Sequence, residues 1–386
     1  MAAAAATTRT LASKFGYPNG KNRHSNAPPP TLRFRVQRRR NAAAAITVTA
    51  TAAAEEEAAE IRRCLSPARL EVLDEMEPWV ESHVLPLLKQ PEDAWQPSDM
   101  VPDPAALGAE GFHVACVELR ERAAAVPDAQ LVCLVGNMVT EEALPTYQSM
   151  ANRFESARDV TGSDGTAWAR WIRGWSAEEN RHGDVLNRYM YLSGRLDMRQ
   201  VERTVHRLIR SGMAMHAPAS PYHGFIYVAF QERATSVAHG NTARHVRECG
   251  DVALARICGA IAADATVRAL AYMMRRRITM PAALMDDGRD GDLFAHYAAA
   301  AQQAGVYTAS DYRGILEHLI QRWRVAELEY GLSGEGRRAR DYVCALPQKI
   351  RRMEEKAHDR AAQMRKKPTP VPFSWIFDRP VDVMLP

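Results

Sequence analysis

TAWARWIRGWSAEENRHGDVLNRYMYL, residues 166–192, carries its large apolar side chains on one helical stripe: Trp168, Trp171, Trp175, Val185 and Tyr189. Glu179 and His182 fall on that same stripe, so a helix packed through its apolar face brings both groups inward with it. A buried ion needs a partner. Glu and His at i and i+3 project together, and in helical bundles a Glu-x-x-His pair with further Glu residues from other helices is the di-iron carboxylate arrangement. Two more helices repeat the anomaly. One sets Glu141 on the line Leu131, Leu134, Met138, Glu141, Leu144, and the other sets Glu232 among Phe225, Val228, Thr235 and His239. Oxygen and imidazole donors of this kind suit iron or manganese better than zinc or copper.

Outward from this stretch the same periodicity continues, and runs of alternating β-branched residues are missing, so the body reads as all-α. Helices are expected over 66–89, 111–125, 127–156, 166–192, 199–211, 220–248, 251–277, 293–303, 310–330 and 334–364, separated by Pro and Gly such as Pro102, Gly162 and Pro218. Several approach thirty residues, about 45 Å at 1.5 Å per residue, long enough for a bundle that holds something in its middle.

With 386 residues, 46% of them apolar, the chain has ample material for a core. No Asp or Glu precedes Glu55, whereas nine Lys or Arg do, and removing those nine from the formal +4 leaves the remainder at −5. A basic balance confined to one end argues against a nucleic-acid-binding face. Residues 1–45, rich in Ala, Thr, Ser, Pro and Arg, have the composition of an organelle transit peptide, with cleavage expected between 40 and 55 and residues 46–386 as the functional domain. No apolar run is long enough to span a membrane. Six scattered cysteines without a CxxC pair suggest neither a zinc knuckle nor a disulfide framework.

The segments TEEALPTYQ (140–148), WSAEENRHGD (175–184), GFIYVAFQERAT (224–235), HGNTAR (239–244), DYVCALP (341–347) and FSWIFDRPV (373–381) resemble the plant plastidial acyl-carrier-protein desaturases, and the likeness runs from about Ser66 to the C-terminus. That resemblance implies a ferritin-like di-iron helical bundle with additional helices, active as a homodimer. It also implies a place in the chloroplast stroma, ferredoxin as electron donor, and insertion of a cis double bond into an acyl chain held on acyl carrier protein. Carried over by motif, Glu141 and His182 bind one iron (as Fe2+), Glu179 bridges the pair, and Glu232 binds the second. Thr235 resembles the hydroxyl on the oxygen side. Trp95 and Asp264 resemble the electron path, although a Trp beside a helix is as readily a core aromatic.

The pattern then breaks. In the family, IAAD (261–264) opens a second Glu-x-x-His motif, but here Ala265 and Arg268 stand at the ligand positions if no gap is allowed. The alternative is a deletion of roughly twenty residues after Asp264, because the segment from Asp264 to Pro281 resembles a later stretch of the family. Arg268 has no lone pair to offer a cation, and 265–277 contains no Asp, Glu, His or Cys. On this reading the chain is expected to bind well under two irons and to desaturate neither stearoyl nor palmitoyl carrier. A non-catalytic relative, binding acyl carrier protein or a paralogous subunit, is the rival reading. Arg153 and Phe154 replace the Thr and Leu of stearoyl-type members and would shorten the acyl pocket if they face it. Lys349, Arg351 and Arg352 are candidates for docking the acidic carrier.

Overall fold

The computed structural model describes residues 65–212, 220–264, 281–328, 334–364 and 367–385. Its centre is three helices: α4 (Asp128–Glu141), α6 (Ala167–Ser193) and α8 (Pro221–Glu248). Before them come α1 (Pro67–Glu75), α2 (Glu77–His83) and α3 (Pro104–Ala124), and between them α5 (Leu144–Ala151) and α7 (Met198–Ser211). After them come α9 (Val252–Asp264), α10 (Leu293–Gln303), α11 (Ala309–Arg322) and α12 (Gly334–Met364), then a two-stranded antiparallel ribbon, β1 (Thr369–Phe373) with β2 (Arg379–Val383).

Local chemistry sets the ends of α6. Thr166 Oγ1 accepts the Ala169 N–H at 3.2 Å to start it, and Gly194, with φ +65°, ends it in a left-handed conformation that suits glycine. α4 is unusual, since every residue from Gln130 to Val139 is buried. The expected one-sided stripe is therefore corrected to a helix enclosed on all sides, as the core helix of a large domain is. Its neighbour α10 approaches so closely that a Cβ on Gly136 would lie 2.1 Å from the Tyr297 ring.

Three expected helices are divided. Residues 66–89 break into α1, α2 and a 3-10 turn at Leu85–Leu87, because Pro78 and Pro86 are tolerated only in the first turn of a helix. Residues 127–156 break after Glu141, since Pro145 likewise sits in the first turn of α5. Residues 310–330 end at Arg322, followed by a 3-10 turn at Val325–Glu327. The expected 111–125 begins earlier, at Pro104, where the Asp103 carboxylate accepts the Ala105 N–H at 3.1 Å. Of the expected 251–277, the described part is α9, and Ala265 and Arg268 lie outside the described residues.

The C-terminal ribbon was not foreseen. Its turn residues Phe377 and Asp378 have φ of +58° and +57°. It inserts Trp375, fully buried, whose indole N–H donates to Thr204 Oγ1 at 2.9 Å. Arg379 grips Asp128 at the start of α4 with Nε at 2.7 Å and Nη2 at 2.8 Å, and Arg195 donates to the same carboxylate at 3.1 Å. The hydrogen bond from Arg379 leads in lowering the Asp128 pKa below its ordinary value, overcoming partial burial, with Arg195 adding to it. A carboxylate so depressed stabilises the fold above its unfolded pKa and stops doing so as pH falls through the lower folded value. Arg379→Met is expected to destabilise the chain by about 1 kcal/mol at pH 7, the pair being partly solvent-screened. The difference from the unmodified chain should shrink as denaturation midpoints are followed downward from about pH 4.

Candidate metal centre

Glu141, Glu179 and His182 meet in the middle of the three central helices, each offering a donor atom, with all three atoms within 4.8 Å of one another. Glu141 closes α4, and the other two lie one turn apart on α6. His182 Nδ1 is 3.0 Å from Glu179 Oε2 and 3.8 Å from Glu141 Oε2. On its other side Glu141 Oε1 is 3.1 Å from Nε2 of His239, which is wholly buried on α8. The carboxylate thus sits between two imidazoles. Burial works to raise its pKa, but hydrogen bonds with His182 and His239 outweigh that and hold it at about 2.

Glu232 is buried on α8 next to this cluster without belonging to the group of three. Burial, reinforced by the charges of Glu179 and Glu141, pushes its pKa well above the carboxylate range. Such a gathering of carboxylates away from water needs a compensating cation. Two carboxylates and one imidazole in reach of one point fit a divalent transition metal, with oxygen-rich donors favouring iron or manganese.

The neighbouring groups follow the sequence expectations unevenly. Trp95 stacks on His182 with ring centroids 5.9 Å apart and planes at 18°. The Arg181 guanidinium lies 4.5 Å over the Trp95 ring, and its Nη1 donates to the Trp95 carbonyl at 2.8 Å. Asp264 ends α9, and its side chain is outside the description. Thr235, one turn beyond Glu232, lines a cavity. Neither the His239–Glu141 contact nor the Arg181 contact was foreseen. His239 did stand on the α8 stripe, seven residues after Glu232, which is the signal that marks it.

Two cavities are walled in part by the central helices, and Gln231 lines both. The inner one is walled by Trp168, Trp171, Trp175 and Phe225, and leaves only about 20 Å³ free. Phe154 also lines it, packed so tightly on α8 that a Cβ on Gly224 would meet the phenyl ring at 2.2 Å. Arg153 points to solvent. The outer cavity, about 390 Å³, runs between α4, α8, α10 and α11. Of the candidate docking residues on α12, Lys349 lies 5.2 Å over Tyr342 and Arg351 pairs with Glu317 at 3.3 Å, while Arg352 is exposed. Among the described residues no single helix is long and apolar enough to cross a membrane.

A helical bundle that gathers two carboxylates and a buried imidazole around one point has the donor set of a metal-binding protein. The pattern of the fatty acid desaturase family matches residues 68–266 and 262–377, and the chain belongs to that family. It is 78% identical to acyl-[acyl-carrier-protein] desaturase 7, chloroplastic, of Oryza sativa subsp. indica, with all of both chains covered. That alignment has 406 positions, about 20 more than this chain has residues. Identity is 66% to the chloroplastic desaturase 6 of Oryza sativa subsp. japonica, covering 86% of this chain and 84% of the relative. It is 52% to the chloroplastic stearoyl-[acyl-carrier-protein] 9-desaturase of Gossypium hirsutum, covering 83% and 85%.

His182→Ala removes the only imidazole of the triad, whereas His239→Phe removes a partner that orients Glu141. In titrations with Co2+ followed by visible absorption, His239→Phe is expected to weaken binding by roughly ten- to a hundredfold. His182→Ala should weaken it further. Equal losses would show that His239 is itself a ligand.

Proposed function

We propose that the chain is an acyl-[acyl-carrier-protein] desaturase of the plastid, with the acyl chain lying along the two cavities past Gln231. The observation that carries this reading is that α4 and α6, the helices bearing the Glu141, Glu179 and His182 cluster, also wall the two cavities together with α8. The relatives are acyl-carrier-protein desaturases and chloroplastic by name, which supports both the substrate class and the compartment. The non-catalytic reading is not favoured, because a binding module has no use for buried carboxylates gathered around one point. Residues 1–45 serve as the transit peptide to the stroma, and the mature chain works as a homodimer reduced by ferredoxin.

Iron is the metal, held by Glu141, Glu179 and His182, with Glu232 alongside. When bound, it supplies with oxygen the oxidising chemistry needed at an unactivated methylene. The protein's own contribution is positional. His182 and His239 keep Glu141 ionised and oriented, and the Trp-rich inner cavity aligns the chain and excludes water. Trp95, stacked on His182, and Asp264 belong to the path by which electrons arrive, with His182 as its inner end, and Thr235 offers a hydroxyl on the cavity side.

The second iron site is incomplete. The segment 265–280 contains no Asp, Glu, His or Cys, so it cannot supply a carboxylate or an imidazole wherever it lies. Two features support loss of about twenty residues after Asp264: the extra positions in the full-length alignment, and a family match that runs to 266 and resumes from 262. The purified mature chain is expected to hold about one iron by elemental analysis, since second-ion affinity depends on ligand number and charge. Inserting the relative's missing stretch after Asp264 should bring about two irons and raise desaturation at least tenfold, whereas Ala265→Glu with Arg268→His should restore little. Two irons in the unmodified chain would sink the argument.

Phe154 sets the depth of the inner cavity. In the chain with the missing stretch restored, Phe154→Leu is expected to shift preference toward a longer acyl chain by roughly tenfold per added methylene pair in competition assays with mixed acyl carriers. An unchanged preference would mean that the chain's end lies elsewhere.

A further inference from the structure

Helix α7 packs through Val201, Thr204 and Leu208 and turns its opposite face to solvent. On that face Arg199, Arg203, His206 and Arg210 follow one another at spacings of four, three and four residues. At about 100° per residue these spacings keep the four within an arc of about 60°, in a row about 16 Å long. All four are exposed, and none has an ion-pair partner among the described residues. Glu202 is the single carboxylate of the helix. The residues after the basic N-terminal stretch sum to −5, so an unpaired cationic row runs against the charge of the body that carries it. Such a row attracts an anionic partner. The cations of α12 form no comparable row: Arg351 pairs with Glu317 at 3.3 Å, and Glu354 and Glu355 stand close by in sequence.

Arg207, at the edge of the row, ties it to the outer cavity. Its Nη1 donates to Asp286 Oδ2 at 3.1 Å, and its guanidinium lies so close to Gly288 that no Cβ fits there. The loop held in this way joins Pro281 and Ala282 to Phe294, and these three residues line the outer cavity. Asp286 is four residues from Ala282, which bounds their separation at about 14 Å. Phe294 is 41% exposed while lining the cavity, which marks a mouth there. We infer that the exposed face of α7 is the docking surface for the acidic acyl carrier. Arg199, Arg203, His206 and Arg210 face the carrier's carboxylates, and the acyl chain enters past Phe294. The inference rests on the acyl-carrier reading above and adds the surface by which the carrier is recognised. An acidic lipid surface and ferredoxin also meet the charge requirement, but neither delivers an acyl chain to the cavity mouth.

The test uses the full mature chain and needs no turnover. Palmitoyl carrier protein bearing a fluorophore is titrated with the chain and followed by anisotropy. Binding to the unmodified chain is expected to weaken at least tenfold as salt rises from about 0.05 to 0.3 M, because exposed charges are screened. Arg203→Glu with Arg210→Glu should weaken binding at least tenfold at low salt and flatten the salt dependence. The milder pair Arg203→Gln with Arg210→Gln should fall between, which separates a lost contact from a lost fold. Lys349→Glu with Arg352→Glu on α12 should change the affinity less than about threefold, as rim charges outside the docking surface do. Equal losses from the α7 and α12 reversals would overturn the proposal, and so would an affinity indifferent to salt. Carrier binding that survives the α7 reversal, while binding to ferredoxin or to phosphatidylglycerol vesicles is lost, would give α7 a different partner and overturn it as well. If the carrier does not bind the unmodified chain at all, the acyl-carrier reading itself fails and takes the docking surface with it, so the two failures are distinguished.

Discussion

Charge held away from water governs the centre of this protein. Glu141 stays ionised because an imidazole stands on each side of it, while Glu232, on α8, is driven toward its neutral form by burial and by the charges of Glu179 and Glu141, which outweigh the influence of His182. The same side-chain chemistry is thus set to opposite states by what faces it. That arrangement dictates the architecture around it. Three helices must converge with the right faces inward, and the one that brings Glu141 is enclosed along nearly its whole length. A cluster of this kind is stable only when its partners are all in place, since removing one leaves an uncompensated buried charge.

Close helix approach does the rest. Gly136 admits Tyr297 against α4, and Gly224 admits Phe154 against α8. These contacts shape the space on either side of the metal centre, open toward α10 and nearly full toward Phe154. The room left beside α6 and α8 is thereby set by how large side chains such as Phe154 pack there.

Much of this was legible because helices write their periodicity into sequence. Glu141, Glu179, His182 and Glu232 stood out as charged residues on apolar stripes, and the structure brings the first three to one point. Relations between helices were not legible. Nothing in a stripe tells that His239 meets Glu141 across two helices or that the tip of the Phe154 ring meets Gly224, because periodicity gives a face and not its counterpart. Helix breaks were misread where Pro78, Pro86 and Pro145 occupy first turns. The ribbon escaped notice since Pro370, Pro372 and Pro380 weaken any strand signal, although both of its strands are edges, where proline is tolerated.

That ribbon also imposes an order on biosynthesis. Asp128, at the start of the helix that ends in Glu141, is gripped by Arg379, which follows it by 251 residues. During translation the helix therefore emerges long before its clamp does. The start of the helix that carries Glu141 toward the centre is held by Arg195 alone until the ribbon is made. That helix is thereby made in full before the ribbon that braces its start exists.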